Sequence, residues 1–297
     1  MPGDQSFPFP EGGTRTNDLK RKKRNSPFDQ LRRALTSAAL LIPAYIIAYA
    51  LQQYVTGVLC LLFGYEPIIN YNRLDNLPFD YRQWSVMRVT LIFSAGPLAC
   101  FIAGLFFLDL FNSLKGQIHL SRLFVLWLGI CNLNVFLGFL LFSPFGVGQY
   151  HSPLYQGFAI VGTWWRLNTL LMTPLAALSG GASLLVGHKI VPAFLKFSFS
   201  YSFIHGSGGR RKMLLQLYLV PLAMAIPALL LLPDKNSFAV HAALLMNLLL
   251  IGVGAFIQSG MRVQDTRVSG ADVLNTFPWL WFILASMVYS AVWLFLR

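Results

Sequence analysis

Residues 45–65 read YIIAYALQQYVTGVLCLLFGY. The stretch is apolar enough to cross a bilayer, yet it carries adjacent carboxamides at Gln52 and Gln53, with Thr56 one turn on. On a helix, positions i, i+1 and i+4 project from nearly one face. Three polar groups therefore meet inside hydrocarbon, where each needs a partner or costs several kcal/mol by order of magnitude. This pattern predicts a multi-pass membrane protein in which polar side chains of the first crossing find neighbours on other helices.

Composition agrees. The 297 residues are 56% hydrophobic and 14% aromatic, and only 11% are charged. Soluble domains carry about 25% charged residues. The net charge of +12 sits in blocks at the ends of apolar runs, as membrane topology requires, which speaks against a nucleic-acid partner. Cys60, Cys100 and Cys131 all lie within apolar segments without metal-ligand spacing, as expected of packing residues. Residues 1–34 lack the early apolar core of a signal peptide.

The predicted fold class is all-α: a polytopic membrane bundle of about seven spans. They fall near 44–63, 89–110, 123–142, 168–188, 214–232, 237–258 and 277–296, each near the ~20 residues that cross ~30 Å. Residues 1–27, with their KRKKR run, read as a disordered basic cytoplasmic tail. Residues 28–150 form an N-terminal membrane half and 151–297 a C-terminal half with four spans. Between 28 and 41 the apolar positions suggest an amphipathic interfacial helix with Arg32 and Arg33 opposite, and Pro43 allows a bend into the first span. With the N-terminus inside, the cytoplasmic segments collect 17 Lys and Arg against 6 outside. N-in, C-out follows. Residues 64–88 read as an ordered outer cap, and FSFSYSF (197–203) as an extended strip followed by a flexible basic turn.

Three segments carry a family likeness. The run QQYVTGVLCLLFGY, Gln52 to Tyr65, resembles the first motif helix of the site-2 protease family of intramembrane metalloproteases. FSAGPLACFIAG, Phe93 to Gly104, is similar to that family's Ala-Gly-Pro-Leu-Ala-Asn segment. NLNVFLGFLLFSPFGVGQ, Asn132 to Gln149, resembles the Asn-rich span leading to a Pro turn and a Leu-Asp-Gly motif. The likeness covers roughly residues 44–150 and implies a zinc-bound water held by two His and an Asp beside a Glu base. Position by position, the His fall at Gln52 and Thr56, the Glu at Gln53 and the Asp at Gly148. A carboxamide is a poor zinc ligand and no base, and glycine has no side chain. The resemblance therefore implies a degenerate relative, with no catalytic residue and no metal expected.

Other residues have two readings each. Asn132, Asn134, Asn247 and Gln216 serve as interhelical hydrogen-bond glue. Alternatively, Asn132 and Asn134 join Gln52, Gln53 and Thr56 in lining a polar intramembrane cluster. Gly96, Pro97, Gly180 and Gly181 are candidates for close helix packing or partner binding. His241 and His151 are the pair to test as tetrapyrrole ligands; otherwise no cofactor is expected. Arg210, Arg211 and Lys212 either anchor topology or hold lipid headgroups.

Three functions stay open at this point. The first is a non-catalytic membrane protein that binds another membrane helix, a lipid or a complex subunit through a degenerate protease-like cleft. The second is a carrier or channel for a small neutral or lipid-like solute. The third is an accessory subunit of a respiratory or photosynthetic complex that contacts a tetrapyrrole. The bilayer and other integral membrane subunits are the expected partners.

Overall fold

In the computed structural model, the structure describes residues 27–69, 74–75, 84–114, 120–198, 204–231 and 238–261, with single helical positions at 279, 283, 286, 287 and 290. The chain is a polytopic helical membrane bundle. Among the described residues six helices are long and apolar enough to cross a bilayer. The basic tail and most of the seventh predicted span lie outside the described residues.

Helix α1 (Pro27–Leu62) is followed by a two-residue antiparallel ladder, β1 (Ile68–Ile69) with β2 (Leu74–Asp75). Then come α2 (Val86–Ser113), α3 (Leu120–Leu141), a 3-10 turn (Ser143–Phe145) and the short α4 (Phe158–Trp164). Helix α5 (Thr169–Leu195) precedes α6 (Ser207–Leu214), which continues through a π segment (Leu215–Leu219) into α7 (Val220–Leu230). Helix α8 (Phe238–Ser259) is the sixth crossing. Two starts are capped as their sequences predict: Ser85 accepts from the Arg88 amide of α2, and Asn168 from the Leu171 amide of α5.

The interfacial helix expected at 28–41 is corrected. Helix α1 runs through Pro43 as one 36-residue element, about 54 Å at 1.5 Å per residue. The expected apolar side is divided: Phe28 and Leu31 are exposed, while Ala34, Ala38 and Leu41 are buried together with Arg33, Thr36 and Ser37. The flexible basic turn is also replaced, because helix begins at Ser207 and carries Arg210 to Lys212 in its first two turns. Of the FSFSYSF strip, Phe197 and Ser198 form a buried turn; the rest lies outside the described residues. Between α1 and α2, Tyr65 and Trp84 stack at 4.1 Å over the Cys60, Val89 and Ile92 cluster.

Small residues set the α1–α2–α3 packing. Gly96, Cys100 and Gly104 recur every four residues along the buried side of α2. Gly96 lies on the α1 backbone, the Cys100 thiol reaches the Ala48 carbonyl at 3.4 Å, and Gly104 receives Leu133 of α3. This is how helices approach closely in lipid, where burial gives no hydrophobic gain between them.

The π segment has a specific cause. Pro221 has no N–H, so the carbonyl four residues back, on Leu217, loses its helical donor. Ser37 of α1 supplies the missing one, its hydroxyl donating to the Leu217 carbonyl at 2.7 Å. The same hydroxyl accepts the Trp127 indole N–H at 2.9 Å. Helices α1 and α3 and the π segment are thereby tied at one buried serine.

Candidate functional site

The residues that match the protease motifs sit where α1 crosses α2. Gln52, Gln53 and Thr56 are all buried. The Thr56 hydroxyl donates back to the Gln52 carbonyl at 2.9 Å, and a Cβ added at Gly96 would overlap both that carbonyl and that hydroxyl. The segment similar to Ala-Gly-Pro-Leu-Ala therefore closes directly over the motif helix. Pro97 in turn meets Gly157, as does Phe139 near the end of α3.

Gln53 points elsewhere. Its amide donates to the Tyr49 hydroxyl at 3.2 Å. The Tyr49 ring lies 4.6 Å from the His241 ring, and the Tyr45 hydroxyl shares a 2.9 Å hydrogen bond with His241 Nδ1. One turn of α1 thus grips the first turn of α8 through two tyrosines. His241 is 1% exposed and packed against both rings. A tetrapyrrole ligand needs a ring nitrogen facing a cavity, so this packing does not suit that role. His151 is exposed in the turn after the 3-10 segment.

Asn132 and Asn134 belong to other bonds. Asn132 donates to the Leu128 carbonyl of its own helix. The Asn134 side-chain oxygen accepts from Asn247 at 3.0 Å, Asn247 accepts from the Ser183 hydroxyl at 2.8 Å, and Ser179 donates to the Leu137 carbonyl at 2.6 Å. The five polar residues expected as one cluster are divided: among the described residues neither asparagine bonds to Gln52, Gln53 or Thr56. The second network joins α3, α8 and α5. Asn247 was legible as glue; Ser179 and Ser183 were not, because serines in apolar helices usually bond only to their own backbone. Among the described residues seven buried side-chain atoms have no partner, and Gln52 Oε1, Asn132 Oδ1 and Asn134 Nδ2 are three of them.

The glycine pair singled out in α5 is not its tight contact. Gly181 has open space at its Cβ position, and Gly180 makes only ordinary contact with Leu141 and Leu250. Close approach occurs two turns on, where Gly187 lies on the Ile251 carbonyl and Gly254 on the Leu184 carbonyl. A pair of glycines on facing helices is visible only once the helices are aligned.

The basic run splits as well. Arg210 is buried and donates to the carbonyls of Ser259 at 2.8 Å, Ile204 at 3.0 Å and His205 at 2.8 Å. It closes the C-terminus of α8, so the lipid role expected of it is corrected. Arg211 is exposed, with its guanidinium 5.3 Å from the Phe256 ring, and Lys212 is half-buried.

The zinc centre implied by the resemblance does not fit these residues. Its donor and base positions hold two carboxamides, Gln52 and Gln53, and the Thr56 hydroxyl, turned onto a carbonyl. The fourth is Gly148, at φ +73° with nothing within 4 Å of its Cβ position and its amide held by Thr163. Among the described residues no three His, Cys, Asp or Glu side chains gather as a metal would require. No protein-family model matches the chain, and neither a curated protein nor a solved structure is similar to it.

Proposed function

We propose that this is a non-catalytic membrane protein, related in form to site-2 proteases, that holds another membrane helix, a lipid or a complex subunit. The observation that carries the reading is the use made of Gln52, Gln53 and Thr56. All three are buried, two in internal hydrogen bonds, beneath a glycine that seals the crossing. None has the chemistry of a proton acceptor or a metal ligand. What the two motif helices offer instead is their outward apolar stripes: Ile47, Tyr54, Val58 and Leu61 on α1, and Leu91, Leu98 and Ile102 on α2. The excess of Lys and Arg at the end where α1 begins supports a cytoplasmic N-terminus.

A photo-crosslinker placed at Tyr54 in native membranes tests the reading. A discrete protein adduct, or a defined lipid adduct, is the expected result. Stoichiometric zinc in the purified protein, or peptide cleavage abolished by Gln53→Ala, would overturn it.

A second reading, a carrier for a small neutral solute, is favoured by three of the orphaned atoms, Gln52 Oε1, Asn132 Oδ1 and Asn134 Nδ2. A buried polar atom without a partner is where a passing polar solute or water bonds. Liposome flux that Asn134→Leu abolishes supports this reading; unaltered flux removes it.

A further inference from the structure

Lys and Arg gather at the end of the bundle where α2 stops, α3 starts and α5 stops. Residues 110–233 contain no Asp or Glu, yet they carry Lys115, Arg122, Lys189, Lys196 and the basic run at 210–212, besides Arg166, which precedes α5 at the opposite end. Among the described residues Arg166, Lys189 and Arg211 are exposed, and Arg210 binds carbonyls. Arg122 and Lys196 do neither fully, and they converge on one aromatic ring. The Arg122 guanidinium lies 4.6 Å from the Phe111 ring centre, and the Lys196 ammonium lies 5.2 Å from the same centre.

Arg122 is 8% exposed. Its Nε donates to the Phe111 carbonyl at 3.2 Å, satisfying one of the free carbonyls at the end of α2. A guanidinium has five N–H donors in a planar fork, and the Nη donors have no protein acceptor among the described residues. Lys196 follows the last residue of α5, where a cation opposes the helix dipole. Those two helix-end roles explain one contact each. They do not explain why two like charges share a ring, where burial first and Arg122 second hold the Lys196 ammonium below its usual lysine value. An anion within reach of both would ease that conflict.

We propose that Arg122 and Lys196, over the Phe111 ring, form a binding site for the phosphate of an anionic glycerophospholipid in the leaflet at that end of the bundle. The depth suits this source. Arg122 lies in the first turn of α3, and Lys196 directly follows α5. Both side chains therefore stand where apolar crossings give way to headgroups. The planar Nη edge suits two phosphate oxygens and Lys196 adds a point charge. The first amides of α3 face the same end and favour an anion. The site is distinct from the Gln52–Thr56 crossing and does not depend on the function proposed above.

The test uses the full chain, purified in detergent and delipidated, with lipid binding followed by native mass spectrometry. Phosphatidylglycerol is titrated against phosphatidylcholine, and inorganic phosphate is titrated separately. The expected result is retention of phosphatidylglycerol over phosphatidylcholine, weakened about fivefold by Lys196→Gln and restored by Lys196→Arg. Arg122→Gln should weaken it at least as much; if that variant does not fold, Lys196→Glu serves in its place and should abolish the preference. Equal retention by the wild-type and Lys196 variants would overturn the proposal. So would binding of inorganic phosphate that displaces the lipid at equal concentration, because the ligand would then be free phosphate.

Discussion

Helices α2 and α3 lie side by side and are almost equally apolar, yet 33% of the apolar window of α2 is buried against 78% of that of α3. In water such a difference would appear as a difference in hydrophobicity. In lipid the acyl chains are as apolar as leucine, so hydropathy reports crossing and not depth in the bundle. What separates the two helices is polarity and size. Helix α3 carries Trp127, Asn132 and Asn134, all fully buried. Helix α2 turns Gly96, Cys100 and Gly104 inward and leaves Ile102, Leu105 and Phe106 exposed. Polar groups and small residues mark the inside; large apolar ones mark the outside.

The severest test of that contrast is Gly96→Val, because a side chain there must displace the Gln52 carbonyl. A loss of about 3 kcal/mol is expected, read as a fall in melting temperature or loss of monodispersity in detergent. Ser37→Ala comes next. It strips the Trp127 indole of its acceptor and the Leu217 carbonyl of its donor, and about 2 kcal/mol should be lost in an unfolding titration. For the polar face of α3, Asn134→Leu and Asn247→Leu should each cost about 1 kcal/mol. The double variant should show a coupling of about 0.6 kcal/mol in a mutant cycle. On the outward face of α2, Ile102→Ala should change stability by under about 0.5 kcal/mol. A large effect there would mean that a partner covers the face.

The smallest effect belongs to the junction of α2, α3 and α5, at Lys196. Its folded-state affinity for a proton is lowered, by burial first and Arg122 second. Between that lowered value and the ordinary 10.5, the unfolded chain binds more protons. Stability therefore rises with pH across this window. Denaturation at two pH values spanning it should show the rise in wild-type protein and less of it in Lys196→Gln.

The crossings were legible because length and apolarity are local properties. All six observed crossings start or end within a few residues of the predicted spans, and α1 differs at its start by extending back to Pro27. Gly96 was legible too, since a Gly-Pro pair inside an apolar run asks for a close neighbour. Arg210 was not: its three acceptors include Ser259, which lies 49 residues away. Nor was the pairing of Gly187 with Gly254, which depends on how α5 and α8 align. The protease-like residues were visible as a pattern. Their internal use was not, because His241, which packs on Tyr49 beside Gln53, comes from α8.

The serine at position 37 ties the first crossing to the fifth across 180 residues. Until α1 and the segment around Pro221 share the bilayer, the Leu217 carbonyl lacks that donor and the Trp127 indole lacks that acceptor. A chain truncated before residue 217 would be expected to insert its early helices without locking them. Assembly on this scheme ends when a late arrival clasps the first helix to enter.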